Sequence, residues 1–225
     1  MRQIVLDTET TGLSTKEGHR IIEIGCVELL HRKITGNTFH TYLNPGRLID
    51  EGAMRVHGIT NEFVSDKPFF KDKITEFRQF IQGADLIIHN AVFDIGFLDY
   101  ELSLLAPKYA ALPIGNQHKI IDTLIMARDK HPSQRNNLDA LCKRYDIKSQ
   151  HRVFHGALLD ASLLAEVYLA MTGGQGSLFV SELSQTGQHA FGSQHLRSTV
   201  KGLRVVLATP EEGLAHDNFV AKLFR

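Results

Sequence analysis

The sequence predicts an α/β domain built on a mixed central sheet with flanking helices, followed by a flexible C-terminal tail. Three observations lead there. The chain opens on strand-like apolar segments in close succession, strands then alternate with helices, and a Gly/Ser/Gln-rich stretch ends the pattern near residue 173.

Residues 2 to 6 form a short apolar run, Ile21 to Leu30 a second strand, and Thr38 to Leu43 a third that stops at the Asn44-Pro45-Gly46 turn. These read as a β meander. Phe69 to Ile81 has helical period, Asp85 to His89 is a short buried strand, and Phe93 to Leu105 is a second helix. Further helices are expected at Thr123 to Lys130, Leu138 to Tyr145 and Ala157 to Met171, the first stopping near Pro132 and the last at Gly173-Gly174. Residues 1–172 thus read as one domain.

Between Gly173 and His195, 13 of 23 residues are Gly, Ser or Gln and only Glu182 is formally charged. That composition buries too little apolar surface to fold, so residues 173–196 read as a tether. Residues 197–225 carry Leu203, Val205, Val206, Leu207, Phe219, Val220, Leu223 and Phe224, enough to need a surface to pack on and too few for a core. They read as a partner-binding tail.

Composition narrows the function classes. With 225 residues, 43% hydrophobic and 22% charged, the chain is an ordinary globular protein, and it lacks an apolar run long enough to span a bilayer. The N-terminus lacks the cationic and apolar organisation of a signal peptide, so a cytoplasmic protein with no membrane partner is expected. Two cysteines, Cys26 and Cys142, support neither a disulfide framework nor a thiolate metal site and read as buried thiols. Twenty-five basic residues balance 25 acidic ones, which argues against holding nucleic acid by a broad basic surface. Locally, Arg128 to His155 carries seven Lys or Arg against three Asp, a stripe that guides a single strand or is simply a solvated helix face.

The chemistry concentrates in three acidic segments. In Asp7-Thr8-Glu9-Thr10-Thr11-Gly12 the carboxylates at i and i+2 share one side of a strand end and can converge on a divalent cation, although Asp-X-Glu also occurs on solvated strands. In His89-Asn90-Ala91-Val92-Phe93-Asp94 a carboxylate opens a helix just after a buried strand, where it meets a cleft or merely complements the helix N-terminus. In His155-Gly156-Ala157-Leu158-Leu159-Asp160 the imidazole and carboxylate would diverge by about 140° on a continuous helix. They meet only if Gly156 lies in the loop before it. Asp160 interrupts an apolar run, and a carboxylate near a core face needs compensation. A surface or capping histidine is the bland alternative for His155.

Taken in order, these segments resemble the three exonuclease motifs of the DEDD superfamily in its histidine variant. Together with Arg55-Val56-His57-Gly58-Ile59-Thr60 and the run from His155 to Ala161, they are similar to the epsilon proofreading subunits of bacterial DNA polymerase III, over about residues 1 to 172. The resemblance implies a ribonuclease H-like fold and 3′-to-5′ exonuclease activity. It assigns Asp7, Glu9, Asp94 and Asp160 to two divalent cations, Mg²⁺ or Mn²⁺, and His155 to general-base duty toward the attacking water. It also implies that Thr10, His57, Asn90 and Phe93 shape the pocket for the terminal nucleotide, His57 and Phe93 being equally readable as packing residues.

Within the tether, Gln175-Gly176-Ser177-Leu178-Phe179 resembles the pentapeptide by which bacterial replication proteins dock on the sliding clamp. Gln175 and Ser177 would supply polar contacts and Leu178 and Phe179 an apolar anchor. The same resemblance makes residues 197–225 the contact to the polymerase alpha subunit and implies a small theta-like stabilising subunit. The implied substrate is a single-stranded or frayed 3′ end of DNA. An enzyme trimming RNA 3′ ends shares the same carboxylate chemistry and is the rival reading. A non-catalytic scaffold joining clamp and polymerase is the third, though every expected ligand is present.

Overall fold

The computed structural model describes residues 1–105, 107, 112–148 and 154–173, with isolated positions at 209, 211 and 214. Its first compact unit runs from Met1 to Gln175, the second from Gly176 to Arg225. The clamp-like peptide 175–179 lies outside the described residues, as do the tether beyond 173 and all but three positions of the tail.

Strands β1 (Arg2–Thr10), β2 (Ile21–Leu30), β3 (Lys33–Tyr42), β4 (Asp85–Ile88) and β5 (Ile120–Asp122) form a sheet in the order β3-β2-β1-β4-β5. The first three strands pair antiparallel and β4 and β5 join in parallel, which makes the sheet mixed. The meander and the switch to βα alternation both hold. β3 starts five residues earlier than expected, because Lys33 to Thr38 lies exposed on the sheet edge and carries no apolar alternation.

Helices α1 (Glu51–His57), α2 (Asn61–Val64), α3 (Phe70–Ile81) and α4 (Ala91–Ser103) come first, followed by α5 (Ile114–Gln117), α6 (Thr123–Lys130), α7 (Leu138–Arg144) and α8 (Ala157–Thr172). α1, α2, α5 and β5 were not foreseen, all being too short to show a period. In α3 the buried residues Phe70, Ile74, Phe77 and Ile81 make one stripe, and the Phe69 N–H donates to Asp72 Oδ2 at 3.0 Å to close its first turn.

The strand alternation splits the core between the two sheet faces. Ile4, Leu6, Ile24 and Cys26 pack with Phe77, Phe97 and Leu98 of α3 and α4. Val5, Val27 and Ile87 point the other way, onto Ala161, Leu164 and Ala165 of α8. Gly25 is what allows α8 to come this close. A Cβ there would lie 2.2 Å from the Leu158 backbone nitrogen, so only glycine fits under the first turn. Cys26 and Cys142 are both buried and unbridged, and burial pushes the Cys26 thiol up, out of reach of ionisation. Among the described residues, no helix is long and apolar enough to cross a membrane.

Candidate active site

β1 carries its polar end between two helices that approach from opposite faces. Asp7 and Glu9 lie on the face covered by α8, while Thr8 points to the other and donates from Oγ1 to Asp94 Oδ1 at 2.7 Å. The Glu9–Thr10 step is also where the β1–β2 register shifts by a bulge, which ends regular pairing at the site.

α8 begins just after Gly156, whose backbone is extended, so His155 lies in the loop and Asp160 in the first turns. His155 is held at both ends. Its N–H donates to the Val56 carbonyl at 3.1 Å, and its Nδ1 lies 3.3 Å from Asp160 Oδ2. Donor atoms of Glu9, His155 and Asp160 all fall within 4.8 Å of one another. Asp7 and Asp94 stand outside that tight group, Asp7 two residues back on the same strand face and Asp94 across the strand end.

Asp94 is 3% exposed, so it is no surface carboxylate complementing its helix. Burial raises its carboxyl to about 7, against the opposing hydrogen bond from Thr8, with Asp122 adding repulsion. A cation beside a carboxyl raised by burial would favour its ionised form. Four carboxylates and one imidazole, with no thiolate, form a donor set that suits a hard divalent ion. The fit is good.

Beside this cluster opens a cleft of about 460 Å³, lined by Glu9, Thr10, Leu13, His57 and Phe93 among others. His57 Nδ1 accepts the Ile59 N–H at 3.0 Å, so the neutral ring carries its proton on Nε2. Burial lowers the His57 pKa, and His155 pushes the same way against the Thr10 backbone. The ring is therefore a neutral donor. Thr10 itself donates to the Gly12 carbonyl at 2.6 Å and shapes the turn that floors the cleft.

Asn90 is elsewhere. It adopts a left-handed backbone at the start of α4 and lines an adjoining cleft with His89, Arg128 and Asn136. The residue that organises this corner is Asp122, which sequence reasoning passed over. Its carboxylate accepts the Leu124 N–H at 2.8 Å, the first turn of α6, and also the Asn90 and Ala91 N–H groups at the start of α4. The Asp-Thr pair before an apolar helix was the available signal. Of the basic stripe, Arg128 faces that second cleft, whereas Arg144 is spent on the Asn136 side chain and the Arg135 carbonyl.

The fold and the acidic cluster together define a class: a 3′-to-5′ exonuclease of the ribonuclease H-like kind that depends on divalent metal. Residues 4–168 match the family described as Exonuclease (RNase_T). A solved exonuclease X, in complex with 5′ overhanging duplex DNA, is 28% identical with a TM-score of 0.57, covering 75% of this chain and 90% of that one. The nuclease domain of 3′hExo, a DEDDh family member bound to rAMP, shares the fold at a TM-score of 0.65 and 21% identity, over 76% of this chain and 90% of that one. The DNA polymerase III subunit epsilon of Escherichia coli is 52% identical over 223 residues, 96% of this chain and 90% of that protein. That of Rickettsia felis is 45% identical over 227 residues, 100% of this chain and 98% of that protein. The chain belongs to the DNA polymerase III epsilon subunit family.

Proposed function

We propose that this protein removes mispaired nucleotides from the 3′ end of a DNA primer by hydrolysis of the terminal phosphodiester, working in the cytoplasm beside the replicative polymerase. The observation that carries the reading is the convergence of Glu9, His155 and Asp160 donor atoms within 4.8 Å at the end of β1.

Asp7, Glu9, Asp94 and Asp160 are the residues to hold two cations, Mg²⁺ or Mn²⁺. Once bound, such ions supply Lewis acidity to the phosphodiester and compensate the carboxylates. His155 takes the proton of the attacking water on Nε2, since its Nδ1 faces Asp160, which orients the ring as a carboxylate orients an imidazole in other hydrolases. The new P–O bond forms as the bond to the 3′ oxygen of the preceding nucleotide breaks. A nucleoside 5′-monophosphate leaves and the shortened strand keeps its 3′ hydroxyl. His57, Thr10 and Phe93 bound the space that the terminal nucleotide fills. Asn90, which lines the cleft shared with His89 and Arg128, is a further substrate contact on the same reading.

Residues 173–196 act as a tether, with Gln175, Ser177, Leu178 and Phe179 docking on the sliding clamp, and residues 197–225 bind the polymerase alpha subunit. A small theta-like subunit would stabilise the nuclease domain. A net charge of zero supports this division of labour: the partners, rather than a basic surface, keep the enzyme on DNA. The test is release of nucleotides from 5′-labelled primers, matched, mispaired or all-RNA, in Mg²⁺. Stepwise shortening that is fastest on mispaired DNA is expected, and preference for the RNA primer would overturn the DNA assignment.

A further inference from the structure

Glu23 is a buried charge in a strand of Ile21, Ile22 and Ile24, and the exonuclease mechanism above gives it no task. Its residue is 2% exposed, and it stands directly across the β1–β2 pair from Glu9, on the same sheet face. Like charges placed opposite each other in a sheet are destabilising, and a buried carboxylate costs several kcal/mol unless partnered. An apolar residue would be cheaper here.

What surrounds Glu23 points in one direction. His40 Nε2, from β3, lies 2.7 Å from Oε1 and anchors one side of the carboxylate. Tyr42, the residue paired with Glu23 across β2–β3, has its phenol pKa raised by burial and by that carboxylate. Oε2 is buried with no hydrogen-bond partner. Both oxygens turn toward Gly156: a Cβ built there would sit 3.9 Å from Oε2 and 4.0 Å from Oε1. Gly156 precedes α8, a helix that no side chain caps, and its N-terminal dipole favours a negative charge beneath it.

We infer that Glu23 is a positioning residue: clamped by His40, its carboxylate holds the Gly156 corner and the first turn of α8, and so sets His155 and Asp160 against Glu9. The inference rests on the hydrolytic role proposed for those three residues. It makes the row Glu9, Glu23, Tyr42 one functional unit running from the site to the sheet edge.

Its signature is that stability and activity move in opposite directions. Glu23→Gln keeps the shape and removes the charge repelling Glu9, so the thermal midpoint in EDTA should hold or rise. On a short single-stranded oligonucleotide in saturating Mg²⁺, kcat should fall roughly 10- to 100-fold, the range for groups that orient metal ligands, with KM within about twofold. Mn²⁺ affinity, read by titration calorimetry without substrate, should weaken as Asp160 loses its fixed place. A wild-type kcat in Glu23→Gln would overturn the inference, as would a loss of kcat accompanied by a lower midpoint. An inactive wild-type protein would count against the exonuclease reading itself.

Discussion

Thr8 and Asp94, 86 residues apart, meet across the end of β1 in a 2.7 Å hydrogen bond that ties the buried carboxylate of α4 to the strand carrying Asp7 and Glu9. The bond lets one strand end gather carboxylates from both sheet faces. It also leaves Asp94 held by neutral donors, the Thr8 side chain and backbone N–H groups, and several consequences can be measured.

Thr8→Val keeps the shape and removes the donor. Leaving a buried carboxyl group short of a partner costs about 1 to 3 kcal/mol, so the metal-free protein should melt earlier by that amount. With Asp94 as one of the proposed ligands, saturating Mg²⁺ should recover most of the loss. Denaturation followed with and without EDTA checks both halves.

The raised Asp94 carboxyl makes metal-free stability depend on pH. Between the ordinary value of 3.8 and the folded value of about 7, the native state holds a proton that the unfolded chain has released. Stability from this group is therefore complete below 3.8 and lost as pH rises through 7. The size is on the order of a few kcal/mol. In EDTA the urea midpoint should fall from pH 5 to pH 8, and Asp94→Asn should flatten that slope.

Gly25→Ala tests how α8 is seated. A methyl 2.2 Å from the Leu158 nitrogen cannot be absorbed by a side-chain rotation, so the helix must lift and take Asp160 with it. Overpacking of this kind costs about 1 to 3 kcal/mol or more. Nuclease activity should drop further than stability alone explains, as shown by assay well below the melting point.

His57→Ala should separate binding from chemistry. His57 lines the cleft but is not one of the donors that converge with Glu9, so KM should rise more than kcat falls. Steady-state kinetics on a single-stranded oligonucleotide reads the split.

Much of this architecture was legible from residue order. Short apolar runs marked β1 and β2, and the glycine before Ala157 separated His155 from its helix, as its approach to Asp160 requires. The hairpin after Leu30 was not legible. It turns through His31 and Arg32, both with positive φ (49° and 64°), where glycine or asparagine would have signalled the turn, and β3 then runs exposed along the sheet edge. Only the family resemblance, and no local pattern, pointed to Asn90 as a substrate contact; its left-handed backbone, fixed by the Asp122 carboxylate, sets it in the cleft lined by His89 and Arg128. Thr8 and Glu23 sat in plain view inside strands. Their partners come from distant segments, and no local pattern encodes a contact across 86 residues.

The most direct test of the central claim is Asp160→Asn, assayed for nucleotide release in Mg²⁺ and for Mn²⁺ binding by calorimetry. Asp160 is 4% exposed and joins Glu9 and His155 at the point where the donors converge. Loss of release by roughly three orders of magnitude or more, with weakened Mn²⁺ binding and an intact thermal transition, is the expected result. A variant that cuts at the wild-type rate would contradict the assignment of this cluster as the hydrolytic centre.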